Sequence, residues 1–290
     1  MINWPNSLIK DIAGGRCVVF LGSGISCNAK NAAGEQPKAW RALLEKASAG
    51  IDAGKRKIIK KCLDRYDYLM ACELVKKVLG TDAFYDFLRD EFQAPGYQPA
   101  DIHKDILGLY APIVITPNFD KIYDSYVTSE VNGTIPILNY YSNDIIDQVR
   151  SGKQIVLKIH GTIDESSKLI FSKEDYAKAR NEYASFYKLL EALILTKTFL
   201  FLGAGLNDPD IQLLLENYSF QFGHTRKHFF VIHDKEYSDD ELSVYESTLN
   251  LKFLKYKWNN HTKSHQDFLD SVTNLRALVE TEKNTHVPVV

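Results

Sequence analysis

The sequence contains little cysteine, with four residues in 290 and no CxxC pair among them. Cys17, Cys27, Cys62 and Cys72 lie far apart, and none is close to a histidine at the spacing of a zinc site. A structural zinc module is therefore not expected. We expect all four thiols to be reduced.

Long apolar runs and an excess of one charge are also missing. No apolar stretch approaches the roughly 20 residues that a membrane-spanning helix needs, and the N-terminus, MINWPNSLIKDIAGG, lacks the pattern of a secretory signal. Lysine and arginine total 35 against 37 aspartates and glutamates, so no global field attracts nucleic acid or an acidic membrane. We expect a cytoplasmic protein that binds neither.

The hydrophobic content of 45% is enough for a buried core, and much of it lies in short runs rich in β-branched and aromatic residues. These runs cover residues 17–22, 112–116, 154–160, 198–203, 228–233 and 251–256. Because they are continuously apolar rather than alternating, they predict strands buried on both faces, as in a parallel sheet covered by helices.

Segments with helical periodicity separate several of these runs. Residues 174–198 and 208–220 have apolar residues three and four apart, and the second segment opens with Asp208 and Pro209 as N-cap and first helical residue. The alternation predicts an α/β fold with a doubly wound, Rossmann-like parallel sheet.

One stretch breaks the alternation. Residues 39–110 contain helix-like segments and no convincing strand. No linker or internal repeat marks a second domain. We predict a single domain over residues 1–290 with a helical insertion at 39–110.

The first candidate for a functional site follows the run CVVFLG. Gly22, Ser23, Gly24 and Ser26 come directly after it, and glycines there allow a backbone to approach a phosphate closely. The alternative is an ordinary turn from strand to helix. Cys27 takes the place of the third glycine of the usual dinucleotide fingerprint.

Three further strand ends carry polar residues or glycines. Thr116, Asn118 and Asp120 follow the second run, where Asn118 can hold a hydroxyl or a water, although both Asn118 and Asp120 can instead cap the next helix. His160 follows the third run, where it is either a general base, with Gly161 allowing a substrate close, or a structural histidine.

The fourth strand end has the glycine pair Gly203 and Gly205, for which an ordinary turn is again the alternative. Four such ends together favour one nucleotide-binding crevice, because the carboxyl ends of parallel strands meet at one edge of the sheet. The remaining histidines lack a comparable context, and His228 is expected at the surface or in a loop.

In this order the four segments resemble the sirtuin superfamily, whose members carry a GAGxS loop, a TxNxD segment, a strand ending in HG and a later glycine-bearing strand end. Here they read GSGIS, TPNFD, HG and GAG, and the match runs from about residue 12 to about residue 235. The two CxxC pairs and the GIPDFR-like stretch of deacylating sirtuins are absent.

The segment with Trp40, Leu43 and Leu44 resembles bacterial sirtuin-like NAD hydrolases used in antiphage defence. LGAGLNDPDI resembles their later strand end, although Gly205 stands where serine is common. The resemblance implies an NAD hydrolase that releases nicotinamide and ADP-ribose without a metal. An NAD-dependent deacylase and a non-catalytic NAD-binding module remain alternatives.

The resemblance also implies roles for individual residues. It makes Asn118 and His160 the catalytic pair and Asp120 an orienting group. The residues implied in NAD binding are Gly22, Ser23, Gly24 and Ser26 at the diphosphate, Gly203 and Gly205 on its other side, Thr116 at the second strand end, and His233 and Asp234 at the adenosine ribose.

An unrestrained NAD hydrolase would exhaust the cofactor of a cell, and the chain shows no evident sensor. Control is therefore expected from self-association into a homo-oligomer or from a defence-system partner. A ring-forming ATPase, an Argonaute-type protein and a phage component are the partners considered.

Overall fold

The computed structural model describes residues 1–206, 208, 211–212, 214–216, 226–259, 261–262 and 264–285. Within these residues the chain forms a seven-stranded parallel sheet of order β3-β4-β2-β1-β5-β6-β7. The strands are β1 (Cys17–Leu21), β2 (Ile113–Thr116), β3 (Ile137–Asn139), β4 (Ile155–Lys158), β5 (Thr198–Leu202), β6 (His228–His233) and β7 (Leu251–Tyr256).

The predicted doubly wound, Rossmann-like α/β fold is confirmed, and each of the six apolar runs forms a strand. The prediction missed β3, an edge strand of three residues just after Pro136. So short a run carries too few residues for its periodicity to be recognised. The other edge strand, β7, exposes Lys252 and Lys255, charges that oppose pairing with a further strand.

Helices flank the sheet and fill most of the remaining described chain. Their bounds are α1 (Asn6–Ala13), α2 (Ser23–Ser26), α3 (Trp40–Ala47), α4 (Ala53–Asp64), α5 (Tyr68–Leu79), α6 (Thr81–Phe92), α7 (Asp101–Leu107), α8 (Ile122–Glu130), α9 (Ile145–Arg150), α10 (Lys173–Glu182), α11 (Ala184–Thr196), α12 (Asp239–Thr248) and α13 (Gln266–Thr285). A short 3-10 helix covers Ile163–Lys168. The long helix predicted over 174–198 is two helices, because the backbone of Tyr183 leaves the helical region.

The core has two layers because successive strand residues point to opposite faces of the sheet. Val18 and Phe20 of β1 pack on one face with α10 and α11, whereas Cys17, Val19 and Leu21 pack on the other face with α1, α7 and α13. Both faces are therefore covered, as parallel sheets require.

The helices α3 to α6 have a hydrophobic cluster of their own. Its members include Leu44, Cys72 and Phe84, and it reaches the sheet domain through Phe171 and its neighbours. Helix α7, at the end of the predicted 39–110 insertion, instead buries Ile102 and Ile106 against the sheet. The prediction of one domain with this insertion stays a prediction.

His228 lies in β6, buried between neighbouring strands, so its expected surface position is wrong. Its Nδ1 accepts a hydrogen bond of 3.1 Å from the backbone N–H of Phe199 in β5. Burial lowers the pKa of His228 from 6.5 to about 4, because an imidazolium loses its hydration there.

We expect the protein to lose stability as the pH falls from 7 to 4.5. In this interval His228 becomes protonated in the unfolded chain but stays largely neutral in the folded chain. The free energy of unfolding therefore falls by about 2 kcal/mol. Burial also lowers the pKa of His103, which acts in the same direction. Urea unfolding of the parent and of His228→Asn should show a flatter pH dependence in the variant, and identical slopes would contradict the assignment.

None of the helices among the described residues combines the length and the apolar composition that a membrane span requires.

Candidate functional site

The carboxyl ends of β1, β2, β4 and β5 surround a cavity of about 400 Å³. Residues of α3, α5, α6 and the loop between α4 and α5 close its outer side. Its position is the topological switch point of the sheet, since the chain leaves β1 towards β2 and later returns on the other side of β1 as β5. The predicted site residues that line it are Gly22, Ser23, Ser26, Asn118, Asp120, His160 and Gly205.

The glycines after β1 and β5 bring two backbone segments into contact. A Cβ atom on Gly22 would lie 2.3 Å from the carbonyl oxygen of Gly203, and one on Gly24 would lie 2.9 Å from the same oxygen. Gly203 itself has φ +59, and a Cβ atom there would lie 2.8 Å from the nitrogen of Ile25. All three positions therefore require glycine for packing within the protein, without reference to a ligand.

The backbone N–H groups of two of these glycines already have acceptors. Gly22 donates to the carbonyl of Leu202 and Gly24 to that of Gly203, both at 2.9 Å. Gly24 and Gly203 do not line the cavity, whereas Gly22 and Ser23 do. Placing the diphosphate of NAD beside this loop stays a prediction, and the described contacts explain the glycines through packing of β1 against β5.

Gly205 differs from the other three because nothing lies within 4 Å of a Cβ atom built on it. Serine, the common residue of the resembling family here, would therefore fit. Asp208 accepts from the N–H of Ile211 at 3.2 Å and lies at the start of a helical segment, as predicted for an N-cap. Pro209, predicted as the first helical residue, lies outside the described residues.

We expect Gly22→Ala to lower the free energy of unfolding by about 1–3 kcal/mol, because the added methyl group overlaps the β5 loop. Gly205→Ala is the matched control, and its effect should stay within about 0.5 kcal/mol. Urea denaturation measures both. Equal stabilities of the two variants would contradict the packing role of Gly22.

Asn118 connects the loop after β2 to the loop after β1. Its side-chain Nδ2 donates to the carbonyl of Gly22 and to the hydroxyl of Ser26, both at 3.0 Å. Its backbone N–H donates to Thr116 Oγ1, which itself donates to Leu21 O. Thr116 is buried between the strands and does not line the cavity. With both amide hydrogens used, Asn118 has its side-chain oxygen as the remaining acceptor for a ligand.

The Asp120 carboxylate hydrogen-bonds to Ser26, the residue that Asn118 contacts, and to the start of α8. One carboxylate oxygen accepts from the Ser26 hydroxyl at 2.7 Å, and the other accepts from the N–H of Ile122 at 3.0 Å. Asp120 therefore supports the start of α8, whereas the Asn118 side chain reaches the β1 loop. The Ser26 hydroxyl thus links Asp120 to Asn118, and the orienting role of Asp120 stays a prediction.

A buried ion pair behind this loop was missed by the sequence analysis. Lys158 ends β4 with 1% of its surface exposed, and its Nζ lies 2.5 Å from the Asp124 carboxylate and 2.5 Å from the backbone oxygen of Asp120. Burial raises the pKa of the Asp124 carboxyl, and the Lys158 ammonium opposes this shift. A lysine inside an apolar run was the signal that could have revealed the pair.

His160 lies two residues after Lys158, which pairs in register with Thr116. Asn118 and His160 are thus each two residues beyond a cross-strand pair, and both line the cavity. His160 is 4% exposed, and its ring lies edge-to-face with the Tyr176 ring, with the two centroids 5.1 Å apart.

Gly161 is required by the local backbone conformation and does not form part of the cavity wall. It has φ +81, and a Cβ atom there would lie 2.7 Å from the carbonyl oxygen of Lys168. The sequence analysis expected this glycine to allow a substrate close, but it does not line the cavity. The glycine is needed because the chain turns sharply after His160.

Helices α3, α5 and α6 and the loop before α5 contribute an aromatic side to the cavity. Trp40 stacks on Phe171 with ring centroids 4.5 Å apart, and Phe171 contacts Phe119 at 5.1 Å. Trp40 and Leu43, two residues of the resembling segment, line the cavity, whereas Leu44 is buried in the cluster of α3 to α6. The lining aromatics that sequence analysis did not find are Tyr66, Tyr68, Phe92, Phe119, Phe171 and Tyr176.

His233 lies outside this cavity. It lines a smaller cavity of about 180 Å³ next to β6 and β7, which shares Ala204 with the first. The His233 ring stacks on Trp258 at 5.4 Å, and the Asp234 carboxylate accepts from the N–H of Trp258 at 3.0 Å. Asp234 lines neither cavity, so its predicted contact with a ribose stays a prediction.

The four cysteines are free and lie in separate places. Cys17 is in β1, Cys62 in α4 and Cys72 in α5, while Cys27 lines the cavity. Burial raises the pKa of the Cys27 thiol to about 11, with a contribution from Asp120. Among the described residues, no group of three or more His, Cys, Asp or Glu side chains is placed to hold a metal ion.

The parallel sheet with its cavity at the switch point places this protein in the class of doubly wound α/β proteins, which bind ligands at that point. Residues 112–254 match the family model described as a SIR2-like domain. The matched segment, just under half of the chain, is therefore similar to the SIR2-like family, and the resemblance to the sirtuin superfamily is confirmed.

Curated relatives extend the similarity beyond that range. The chain is 26% identical over 245 residues to "Defense-associated sirtuin 2" of Bacillus subtilis, covering 83% of this chain and 23% of that protein. It is 24% identical over 240 residues to "NAD(+) hydrolase ThsA" of Acinetobacter baumannii, covering 81% of this chain and 46% of that protein. The ThsA of Bacillus cereus is 23% identical over 238 residues, covering 81% and 47%. The chain thus spans less than half the length of these relatives.

Proposed function

We propose that this protein hydrolyses NAD⁺ to nicotinamide and ADP-ribose. The observation that carries the proposal is the meeting of Asn118 and His160, from two neighbouring strands, in one cavity at the switch point of the sheet. Similarity to relatives named as NAD(+) hydrolases supports it.

In the proposed reaction, the bond between ribose C1′ and the pyridinium nitrogen breaks. Its electron pair goes to the ring nitrogen, so the ring leaves as neutral nicotinamide. An oxocarbenium-like centre develops at C1′, as in glycoside hydrolysis, and water adds to it. The water loses a proton, and ADP-ribose forms.

The chain's own residues position the reactants and take the proton. The Asn118 side-chain oxygen accepts a hydrogen bond from the attacking water or a ribose hydroxyl, since its Nδ2 is held by Gly22 and Ser26. His160 is the general base. Asp120 keeps Ser26, and through it Asn118, in place.

Product analysis tests the proposal. Purified protein incubated with NAD⁺ should release nicotinamide and ADP-ribose in equal amounts, without any acylated peptide and unaffected by a zinc chelator. Turnover that requires an acylated peptide and yields O-acyl-ADP-ribose would instead establish a deacylase. NAD⁺ binding by calorimetry without turnover at any protein concentration would establish a non-catalytic module.

The proposed setting is antiphage defence, in which the protein depletes the cytoplasmic NAD pool. The similarity to a protein named as a defense-associated sirtuin supports this setting. Because unrestrained activity would exhaust the cofactor, we propose that the protein is controlled by homo-oligomerisation or by a defence-system partner. A ring-forming ATPase, an Argonaute-type protein and a phage component are the partners considered. Specific activity should then rise with protein concentration or on addition of the partner, and high activity of an isolated monomer would contradict this control.

A further inference from the structure

Tyr176 lies directly beside the proposed general base. Its ring is T-shaped to the His160 imidazole, with the two centroids 5.1 Å apart and the ring planes at 73°. Both residues line the cavity, and both are more than nine-tenths buried. An aromatic ring of α10 is therefore packed against the imidazole within the cavity.

The backbone of His160 is fixed by the sheet and by the chain before α10. The N–H of Ile159 donates to Thr116 O at 2.9 Å. The N–H of Ile170 donates to His160 O at 3.1 Å. These bonds fix where the side chain begins, but rotation about χ1 and χ2 also decides where its ring nitrogens lie. A ring packed against the imidazole limits that rotation, because a close-packed interior leaves little free space.

The direction of the imidazole matters for the proposed reaction. A general base takes a proton only over hydrogen-bond distance, about 2.6–3.2 Å between the heavy atoms. A misplacement of about 1 Å can lower a rate about 100-fold. A contact that holds the His160 ring therefore contributes to the rate even though it transfers no proton.

The Tyr176 ring is held by a second contact besides His160. The guanidinium carbon of Arg180 lies over the ring, 5.6 Å from its centroid, and a cation and an aromatic face attract each other in this arrangement. Arg180 lies four residues further along α10, so both partners are on the same side of the helix.

Helix α5 fixes the start of α10. The Lys76 ammonium of α5 pairs with the Asp175 carboxylate at 2.8 Å, and both side chains are less than one-fifth exposed. The N–H of Glu174 donates to the Glu73 carboxylate at 3.1 Å. These two contacts tie the first turn of α10 to α5, and Tyr176 directly follows Asp175.

We propose that Tyr176 is a positioning residue for His160, whose imidazole it holds in the orientation that proton removal requires. Helix α5 keeps Tyr176 in place through the ion pair of Lys76 with Asp175. The inference rests on the proposed NAD hydrolase function, and it adds a residue that acts through the base.

A double-mutant cycle of Tyr176 and His160 tests the inference. Tyr176→Leu should lower kcat about 10- to 100-fold and leave KM within about threefold, since it misplaces the base and keeps most of the binding surface. In the His160→Ala background the same change should have at most about a twofold effect, because the group that it positions is gone. Tyr176→Phe should recover most of the lost kcat, because the ring contact remains.

Phe199→Leu is the matched control. Phe199 is also a buried ring that is T-shaped to a histidine, with its centroid 5.7 Å from that of His228, and neither residue lines the cavity. Phe199→Leu should lower the thermal unfolding midpoint about as much as Tyr176→Leu, because both variants lose a buried ring. It should leave kcat within about twofold.

Lys76→Met tests the contribution of α5 and decides the question if Tyr176→Leu does not fold. It should lower kcat in the parent, less than Tyr176→Leu does, and should have no effect in the His160→Ala background. Lys46→Met is its control, since Lys46 pairs with Glu91 between α3 and α6 and does not line the cavity. Lys46→Met should keep the parental kcat.

Three results would overturn the inference: parental kcat in Tyr176→Leu, an equal loss of kcat in Phe199→Leu, or the same loss from Tyr176→Leu with and without His160. If Tyr176→Leu does not fold, parental kcat in Lys76→Met overturns it instead. In each of these cases the parent still hydrolyses NAD⁺, so the proposed function stands. A parent protein that cleaves no NAD⁺ at any protein concentration would instead remove the proposed function and this inference with it.

Discussion

Replacing His160 or Asn118 by alanine should slow NAD⁺ cleavage by about 10²- to 10⁴-fold, the usual contribution of a positioned acid–base group. His160→Ala removes the proposed base. Asn118→Ala removes the acceptor for the water or ribose hydroxyl, together with two hydrogen bonds to the β1 loop. Steady-state rates of nicotinamide release measure the effect.

The loss of those two hydrogen bonds calls for a matched control, since it should cost about 1–3 kcal/mol of stability by itself. Asn28 also donates from its Nδ2 to two groups near this loop, Gly24 O at 2.8 Å and Ile25 O at 3.2 Å, and it does not line the cavity. Asn28→Ala should lose similar stability and keep most of the activity. Near-parental turnover of Asn118→Ala or His160→Ala would remove that residue from the catalytic assignment.

Lys158→Met should lower the free energy of unfolding by about 3–5 kcal/mol, because it leaves a buried carboxylate without its partner. The ammonium of Lys158 contacts the Asp124 carboxylate and the backbone oxygen of Asp120, and nothing in solvent can replace it at 1% exposure. Urea denaturation at neutral pH measures the change.

The double variant Lys158→Met/Asp124→Leu is the control for this prediction. It removes both charges and should regain most of the lost stability, as replacement of whole buried ion pairs often does. Because Asp120 O still loses its donor, nicotinamide release should stay below that of the parent. A single variant that loses less than about 1 kcal/mol would show that the pair contributes little to stability.

The two sets of variants distinguish residues that take part in the proposed reaction from residues that hold the loop in position. Asn118 and His160 line the cavity. Lys158 and Asp124 lie in the protein interior, where Lys158 holds the loop after β2 through the backbone oxygen of Asp120. We therefore expect the first pair to affect the rate far more than stability. The second pair should affect stability first, and the rate only through the position of the loop.

Local sequence determined the strands and the place of the site. Continuous apolar runs rich in β-branched and aromatic residues form β1, β2, β4, β5 and β6, because both faces of a parallel sheet are buried. The edge strand β7 was also predicted, although it exposes Lys252 and Lys255. Since the carboxyl ends of parallel strands share one edge, the polar residues after β2 and β4 had to meet near the glycines after β1 and β5. Asn118 and His160 were found in this way.

Tertiary structure alone decided how those residues are held. Asn118 bonds to Gly22, 96 residues earlier in the chain, and Ser26 bonds to Asp120, 94 residues later. The need for glycine at position 22 arises from the backbone of Gly203. Contacts of this kind leave no periodic pattern in the sequence, because they depend on where distant loops meet.

The same reason explains the residues that were missed. Lys158 is a charged residue inside a strand, and only its buried partner Asp124 makes that position tolerable. The aromatic rings that line the cavity include rings from helices α3, α5 and α6 and from the loops that hold Phe119 and Phe171. Sequence determined six of the seven strands and where they end, whereas β3 and the partners of the side chains were decided by packing. Packing decides them because the burial and the direction of a side chain depend on the whole folded chain.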